Sequence, residues 1–114
     1  MDLLTQATFD RESNEAWAQW DLAHLVTHNR IYDSAQNQGF PVNTYPLSFD
    51  APRPTDAWKN VHQQVHQSLY QVLGMTGGLP DLTDVDFKDQ TEFEDWHLLH
   101  ALIHTQLNHK LGLR

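Results

Sequence analysis

The stretch EDWHLLHALIHTQLNHKLGL, residues 94–113, reads as one amphipathic helix with an unusual inner face. Trp96, His100 and His104 follow one another at steps of four, so they stand on one side of a helix, turn above turn. The same pattern occurs twice earlier, as Trp58, His62, His66 and as Trp20, His24, His28, at a constant step of 38 residues. Three of the four tryptophans and six of the eight histidines belong to it. Chance does not place two uncommon residue types three times at one period. The second copy, TDAWKNVHQQVHQSLYQVLGM (55–75), aligns with the third without a gap, and both close on Leu-Gly and an apolar residue: Leu73-Gly74-Met75 and Leu111-Gly112-Leu113. The first copy runs three residues longer before Gly39-Phe40. A period near 40 with one supersecondary unit per copy is how helical repeats read. No solenoid consensus fits, and three copies in so short a chain point to pseudo-symmetry within one domain.

The expected fold is all-α: three amphipathic helices of pseudo-threefold repeated sequence with long extended connectors, in a single domain over 1–114. The first helix is placed at 10–38, with Asp10 or Ser13 as N-cap, Gly39 as C′ residue and Pro41 barring continuation. The connector 39–54 holds four of the five prolines. The second helix spans 55–74, opening at Thr55 with Asp56 in its first turn and closing at Gly74 in a Schellman-type cap. After a connector at 75–90, the third helix spans 91–112, with Thr91 and Glu94 as a capping box. Residues 1–9 form an arm with Leu3, Leu4 and Phe9 as anchors.

Apolar spacing supports the helices. Trp96, Leu99, His100, Ile103, His104, Leu107 and Leu111 follow the i, i+3, i+4 rule. So do Trp58, His62, Val65, His66, Leu69 and Leu73, and likewise Trp20, His24, Leu25, His28, Ile31 and Tyr32. The histidines therefore lie inside the apolar stripes. Trp17 and His97 fall outside the repeat and are expected at the surface. Connectors of about 15 residues exceed the 2–8 usual between bundle helices and are long enough to run back along a helix at about 3.3 Å per residue. Two topologies fit: an antiparallel bundle with draped loops, or three nearly parallel helices with extended crossovers, which the equal repeat spacing favours. Parallel packing would layer His24 with His62 and His100, and His28 with His66 and His104. Antiparallel packing would give His24/His66/His100 and His28/His62/His104.

With 114 residues the chain holds one small core. A formal charge of −8 argues against nucleic acid and against anionic membrane as partners, both of which need basic surface. No cysteine is present, which removes disulfides and thiolate metal sites. No apolar run approaches the roughly 20 residues of a membrane span. The N-terminus, MDLLTQATFDRE, carries acid where a signal peptide carries base. The acidic residues of 81–95 (Asp81, Asp84, Asp86, Asp89, Glu92, Glu94, Asp95) read as a solvated face or as a contact for a basic partner.

Two readings of the histidines stand side by side. Three neutral imidazoles are a Zn shell with an open fourth position, and they also suit Cu or Ni, which makes His24, His28, His62, His66, His100 and His104 candidate metal ligands in layers. Alternatively the rings satisfy one another by hydrogen bonds, since each neutral ring carries one donor and one acceptor. Enzyme signatures are missing: the three His-x3-His pairs lack the Glu of HExxH, and Glu94-x2-His97 is a single copy of a spacing that di-iron bundles need on two helices. The chain also lacks a nucleophile context and a phosphate loop, so no enzyme is expected. The tryptophans read as closing the core, each NH seeking a carbonyl.

At Trp-x3-His-x3-His followed by Leu-Gly-Leu, the sequence resembles small proteins encoded in the structural gene regions of tailed bacteriophages. The resemblance covers 94–113 best, the second copy well, and the first with its extension. It implies a non-enzymatic structural or adaptor protein, a minor virion component of head, neck or tail. On that reading the chain is synthesised in the host cytoplasm and present in multiple copies beside other virion proteins. The reading from another class is a metal-binding three-helix protein, and the two are compatible.

Overall fold

The computed structural model describes residues 4, 9–44, 47 and 54–113. Among these the chain forms three helices and no strand: α1 (Asn14–Asn37), α2 (Asp56–Val72) and α3 (Gln90–Leu111). Local chemistry sets their ends. Ser13 caps α1 by accepting from the Ala16 N–H, and Thr55 caps α2 by accepting from the Trp58 N–H. Asp10, the other candidate, lies in the preceding turn, where its carboxylate accepts from the Glu12 N–H. The expected capping box at Thr91 is not formed. Asp89 caps α3 instead, accepting from the Glu92 N–H at 3.0 Å, so α3 starts earlier than the spacing predicts.

All three helices stop in the same way. Phe40 N–H donates to Ala35 O at 2.9 Å, Met75 N–H to Tyr70 O at 2.9 Å, and Leu113 N–H to Asn108 O at 2.8 Å. Each preceding glycine (Gly39, Gly74, Gly112) adopts positive φ, at 90°, 68° and 74°, and its N–H closes the inner bond of a Schellman motif. The repeat is therefore a repeat of helix endings as well as of helix faces.

The helices run side by side in one direction, forming a body of 40 × 25 × 24 Å. Trp20 meets both Trp58 and Trp96, at 6.0 and 5.3 Å between ring centroids, which an inverted middle helix would prevent. At the N-terminal ends Arg11 Nε donates to Gln90 Oε1 at 2.7 Å; at the C-terminal ends Gln38 Nε2 donates to Leu111 O at 2.9 Å. Tyr70 near the end of α2 donates to Gln106 Oε1 near the end of α3 at 2.6 Å.

Parallel order requires each connector to return the full length of a helix, and the second does so along α2. The Gln63 side chain clamps it, donating to Pro80 O and accepting from the Leu82 N–H, both at 3.0 Å. One turn lower, Lys59 Nζ donates to Val85 O at 2.6 Å and stands 4.7 Å over the Phe87 ring. Of the first connector, Leu47 is buried and its carbonyl accepts from Trp58 Nε1 at 3.4 Å; residues 45, 46 and 48–53 lie outside the described residues. Leu3 lies outside them too, whereas Leu4 and Phe9 reach the core as expected.

Three expectations about faces are corrected. Trp17 and His97, placed at the surface by the repeat, are 1% and 0% exposed. The arm brings Phe9 over the N-terminal end, where it meets Trp17 at 4.9 Å and His97 at 5.3 Å. Trp17 Nε1 donates to Arg11 O at 2.9 Å, and His97 stacks along Phe93. Leu99, assigned to the buried stripe, is 38% exposed, as is its repeat counterpart Val61 at 41%. Large rings fill the axis, and the neighbouring stripe position is pushed to the rim.

Candidate metal centre

The ladder of four-residue steps turns three sequence copies into three stacked layers. Outermost is Trp20, Trp58 and Trp96; beneath it lie His24, His62 and His100; beneath those lie His28, His66 and His104. Each Trp stacks on the His one turn along its own helix: Trp20 on His24 at 4.6 Å and 17°, Trp58 on His62 at 4.5 Å and 24°, Trp96 on His100 at 5.3 Å and 3°. Each upper His then meets the lower His of its helix ring to edge, at 4.3, 4.1 and 4.4 Å. The indole faces fix the plane of the upper imidazoles, and the upper imidazoles fix the lower ones.

These rings point at one spot. His62 Nε2 lies 3.1 Å from His24 Nε2 and 3.0 Å from His100 Nε2, and His66 Nε2 lies 3.3 Å from His28 Nε2. One ring nitrogen from each of the six histidines falls within 4.8 Å of all the others. All six expected ligands are thus brought together, in the parallel layering, but not as separate three-histidine sites. Two divalent ions in one protein site stand about 3.5–4 Å apart with bridging ligands between them, and this cluster has neither the length nor the bridges. At that spread the cluster suits at most one ion.

The cluster itself is buried and free of acid. The six side chains are between 0% and 2% exposed, and among the described residues no carboxylate belongs to the cluster. Burial pushes every one of the six below the ordinary histidine value of 6.5, and for His24, His28, His62, His66 and His100 the neighbouring imidazoles push further in the same direction. His104 falls to about 3, from burial. Neutral imidazole, the form that ligates metals, is the form this core enforces. The remaining histidines stand apart: His97 lies in the aromatic end and His109 at the surface of α3.

Hydrogen bonding satisfies the rings poorly. The His62 Nε2 carries either one proton or one lone pair, yet it faces two other Nε2 atoms at bonding distance. It cannot donate to one and accept from the other. Among the described residues, both nitrogens of His104 and the Nδ1 atoms of His24, His28 and His100 have no partner.

The tryptophans are buried, at 0%, 7% and 1% exposure, and present no face to a sugar or base. The acidic residues of 81–95 are solvent-exposed apart from Glu94, which is half-buried. No helix among the described residues is long and apolar enough to cross a membrane. No family model, curated protein or solved structure matches the chain.

Proposed function

We propose that this chain is a non-enzymatic metalloprotein whose six core histidines hold a single transition-metal ion as the staple of a small three-helix fold. The observation that carries the reading is the convergence of six ring nitrogens within 4.8 Å in a buried cluster that, among the described residues, includes no carboxylate. A metal gives all six inward lone pairs one partner, which the hydrogen-bonded arrangement does not. Metal affinity then becomes folding free energy, because the unfolded chain offers no preformed site. Small domains often need such a staple. Shielded on all sides, the ion has no place for a substrate, and the role that follows is structural or metal-holding.

The test is the metal content of untagged protein by plasma mass spectrometry after dialysis against metal-free buffer. The expected result is near one ion per chain, restored after stripping by added Zn, Ni, Co or ferrous iron. Folded protein that carries only traces and takes up none of these would overturn the reading.

A role as a virion component is a separate proposal, and it is compatible with a metal-stapled core. Exposed apolar residues at matching repeat positions support protein contacts: Leu22 and Val26 on α1, Leu98 and Leu102 on α3, each more than half exposed. Portal, capsid or tail genes beside this one would support the role, and a metabolic operon would sink it.

A further inference from the structure

We infer that the six-histidine centre is a six-coordinate site, selecting a divalent ion that accepts an octahedral set of nitrogens over one that settles for four. The inference rests on the metal reading and adds the number of ligands and the class of ion.

Spacing is the first argument. With a metal–imidazole bond of roughly 2.1 Å, an octahedron sets neighbouring nitrogens about 3.0 Å apart and opposite ones about 4.2 Å apart. The three close contacts are 3.0, 3.1 and 3.3 Å, and the widest separation is within 4.8 Å. Contraction by up to about 0.6 Å across the cluster on binding completes the shell. A tetrahedral ion would use four rings and strand two, each with a buried nitrogen facing a cation it does not touch.

Symmetry is the second. Three parallel helices each supply one ring to an upper triangle and one to a lower triangle, and two stacked triangles of donors form a six-coordinate shell, an octahedron once one is rotated against the other. Every helix contributes a pair from adjacent turns, held by its Trp above. Nothing in the repeat distinguishes four of these rings from the other two.

Donor chemistry is the third. Six neutral nitrogens without oxygen exclude magnesium and calcium, which require oxygen ligands. Imidazole suits iron, nickel, copper and zinc, and the geometry then favours nickel, cobalt and ferrous iron. No buried carboxylate in the cluster offsets a third charge, so ferric iron is refused.

The experiment loads the full chain with Co(II), Ni(II) and Fe(II) in turn and measures coordination number by X-ray absorption at the metal edge, which needs no variant. Six nitrogens at one distance are expected, together with the weak visible absorption of six-coordinate cobalt. Single His→Ala changes at 24, 28, 62, 66, 100 and 104 should each lower cobalt affinity by at least about tenfold, the loss that even outer-shell changes produce. Four nitrogens, the intense blue of tetrahedral cobalt, or two variants with unchanged affinity would overturn the six-coordinate assignment while leaving a metalloprotein. Two ions per chain, or uptake of ferric iron as readily as ferrous, would overturn it as well. No uptake of any of these ions would remove the metal reading and this inference with it.

Discussion

Two regions of this core are built from rings at similar spacing and depend on opposite things. At the N-terminal end Phe9, Trp17, Phe87 and Phe93 pack edge to face, and Phe87 meets Trp96 in the same way: Phe9 meets Trp17 at 4.9 Å and 88°, and Phe87 meets Trp96 at 4.9 Å and 86°. One turn further in, imidazoles approach one another equally closely, His24 to His62 at 4.8 Å and His28 to His104 at 4.7 Å. Aromatic pairs add about 0.5–1.5 kcal/mol each beyond the area they bury, and in the end layer the Trp17 indole N–H is satisfied by Arg11 O. An imidazole brings a donor and an acceptor into the same dry space, and each one left unpaired costs about 1–3 kcal/mol. The end is stabilised by contact, whereas under the proposed metal reading the middle is stabilised by what it binds.

Acid should separate the two most strongly. All six central histidines titrate below 6.5 in the folded chain, first because burial disfavours the charged form. The unfolded chain takes up protons near 6.5, so below that pH it binds more of them than the folded chain does. Stability is therefore full above 6.5 and declines as pH falls towards the folded values, by up to about 1.4 kcal/mol per histidine per pH unit. Metal-free protein should lose melting temperature steeply between pH 7.5 and 5, while bound metal competes with protons and moves the decline to lower pH. A flat metal-free profile would show that the rings are not held neutral.

Trp17→Ala probes the other region. Removing this fully buried indole should cost about 3–5 kcal/mol in urea unfolding. The loss should differ by less than about 1 kcal/mol with and without metal, because Trp20 and Trp96 stand between Trp17 and the rings of His24 and His100. A loss that grew on metal binding would mean the aromatic end helps to build the centre.

Replacing His24, His62 and His100 together by Leu has an opposite sign in the two states. Volume is nearly kept and the Trp stacks retain an apolar floor, so metal-free protein should gain about 1–3 kcal/mol as unpaired polar atoms disappear. The response to metal should vanish and the acid slope should roughly halve. Destabilisation of the metal-free form would instead indicate that the rings already pair well among themselves.

The helices and the identity of the six rings were legible in the sequence because both depend on spacing along one chain. Four-residue steps put Trp and both histidines on one face whatever the tertiary context. Gly39, Gly74 and Gly112 end their helices by a rule that reaches only five residues back. What the sequence could not carry is distance between helices. It allowed separate layers, each with its own ion, while the convergence on one point depends on how far the rings lean together across the axis. Trp17 and His97 were misplaced for a related reason: their burial comes from Phe9 and Phe93 at the bundle end, and no period records that. The Gln63 clamp on Pro80 and Leu82 also lies outside the repeat, since its counterparts, Leu25 and Ala101, cannot make it.

The start of α3 shows the same limit at short range and yields the smallest effect. Two overlapping signals compete there: Asp89 with Glu92 three residues on, and Thr91 with Glu94. Local propensity does not choose between them. With Asp89 as cap, Phe93 falls at the fourth helical position, where it packs against Phe87 at 6.4 Å just before the cap, an arrangement akin to a hydrophobic staple. With Thr91 as cap that position would be Asp95, which has nothing apolar to offer. Glu92 reaches back to the Asp86 N–H at 3.3 Å, and Glu94 is taken up by Gln90 Nε2 at 2.7 Å. Asp89→Ala should therefore cost about 1 kcal/mol, and Thr91→Ala should stay within about 0.5 kcal/mol, as exposed substitutions usually do. Both values should be independent of metal and of pH between 6 and 8, since the cap belongs to the contact-stabilised end. A larger loss at Thr91 than at Asp89 in urea unfolding would restore the capping box that the sequence suggested, and it would place the start of α3 outside the influence of the aromatic layer.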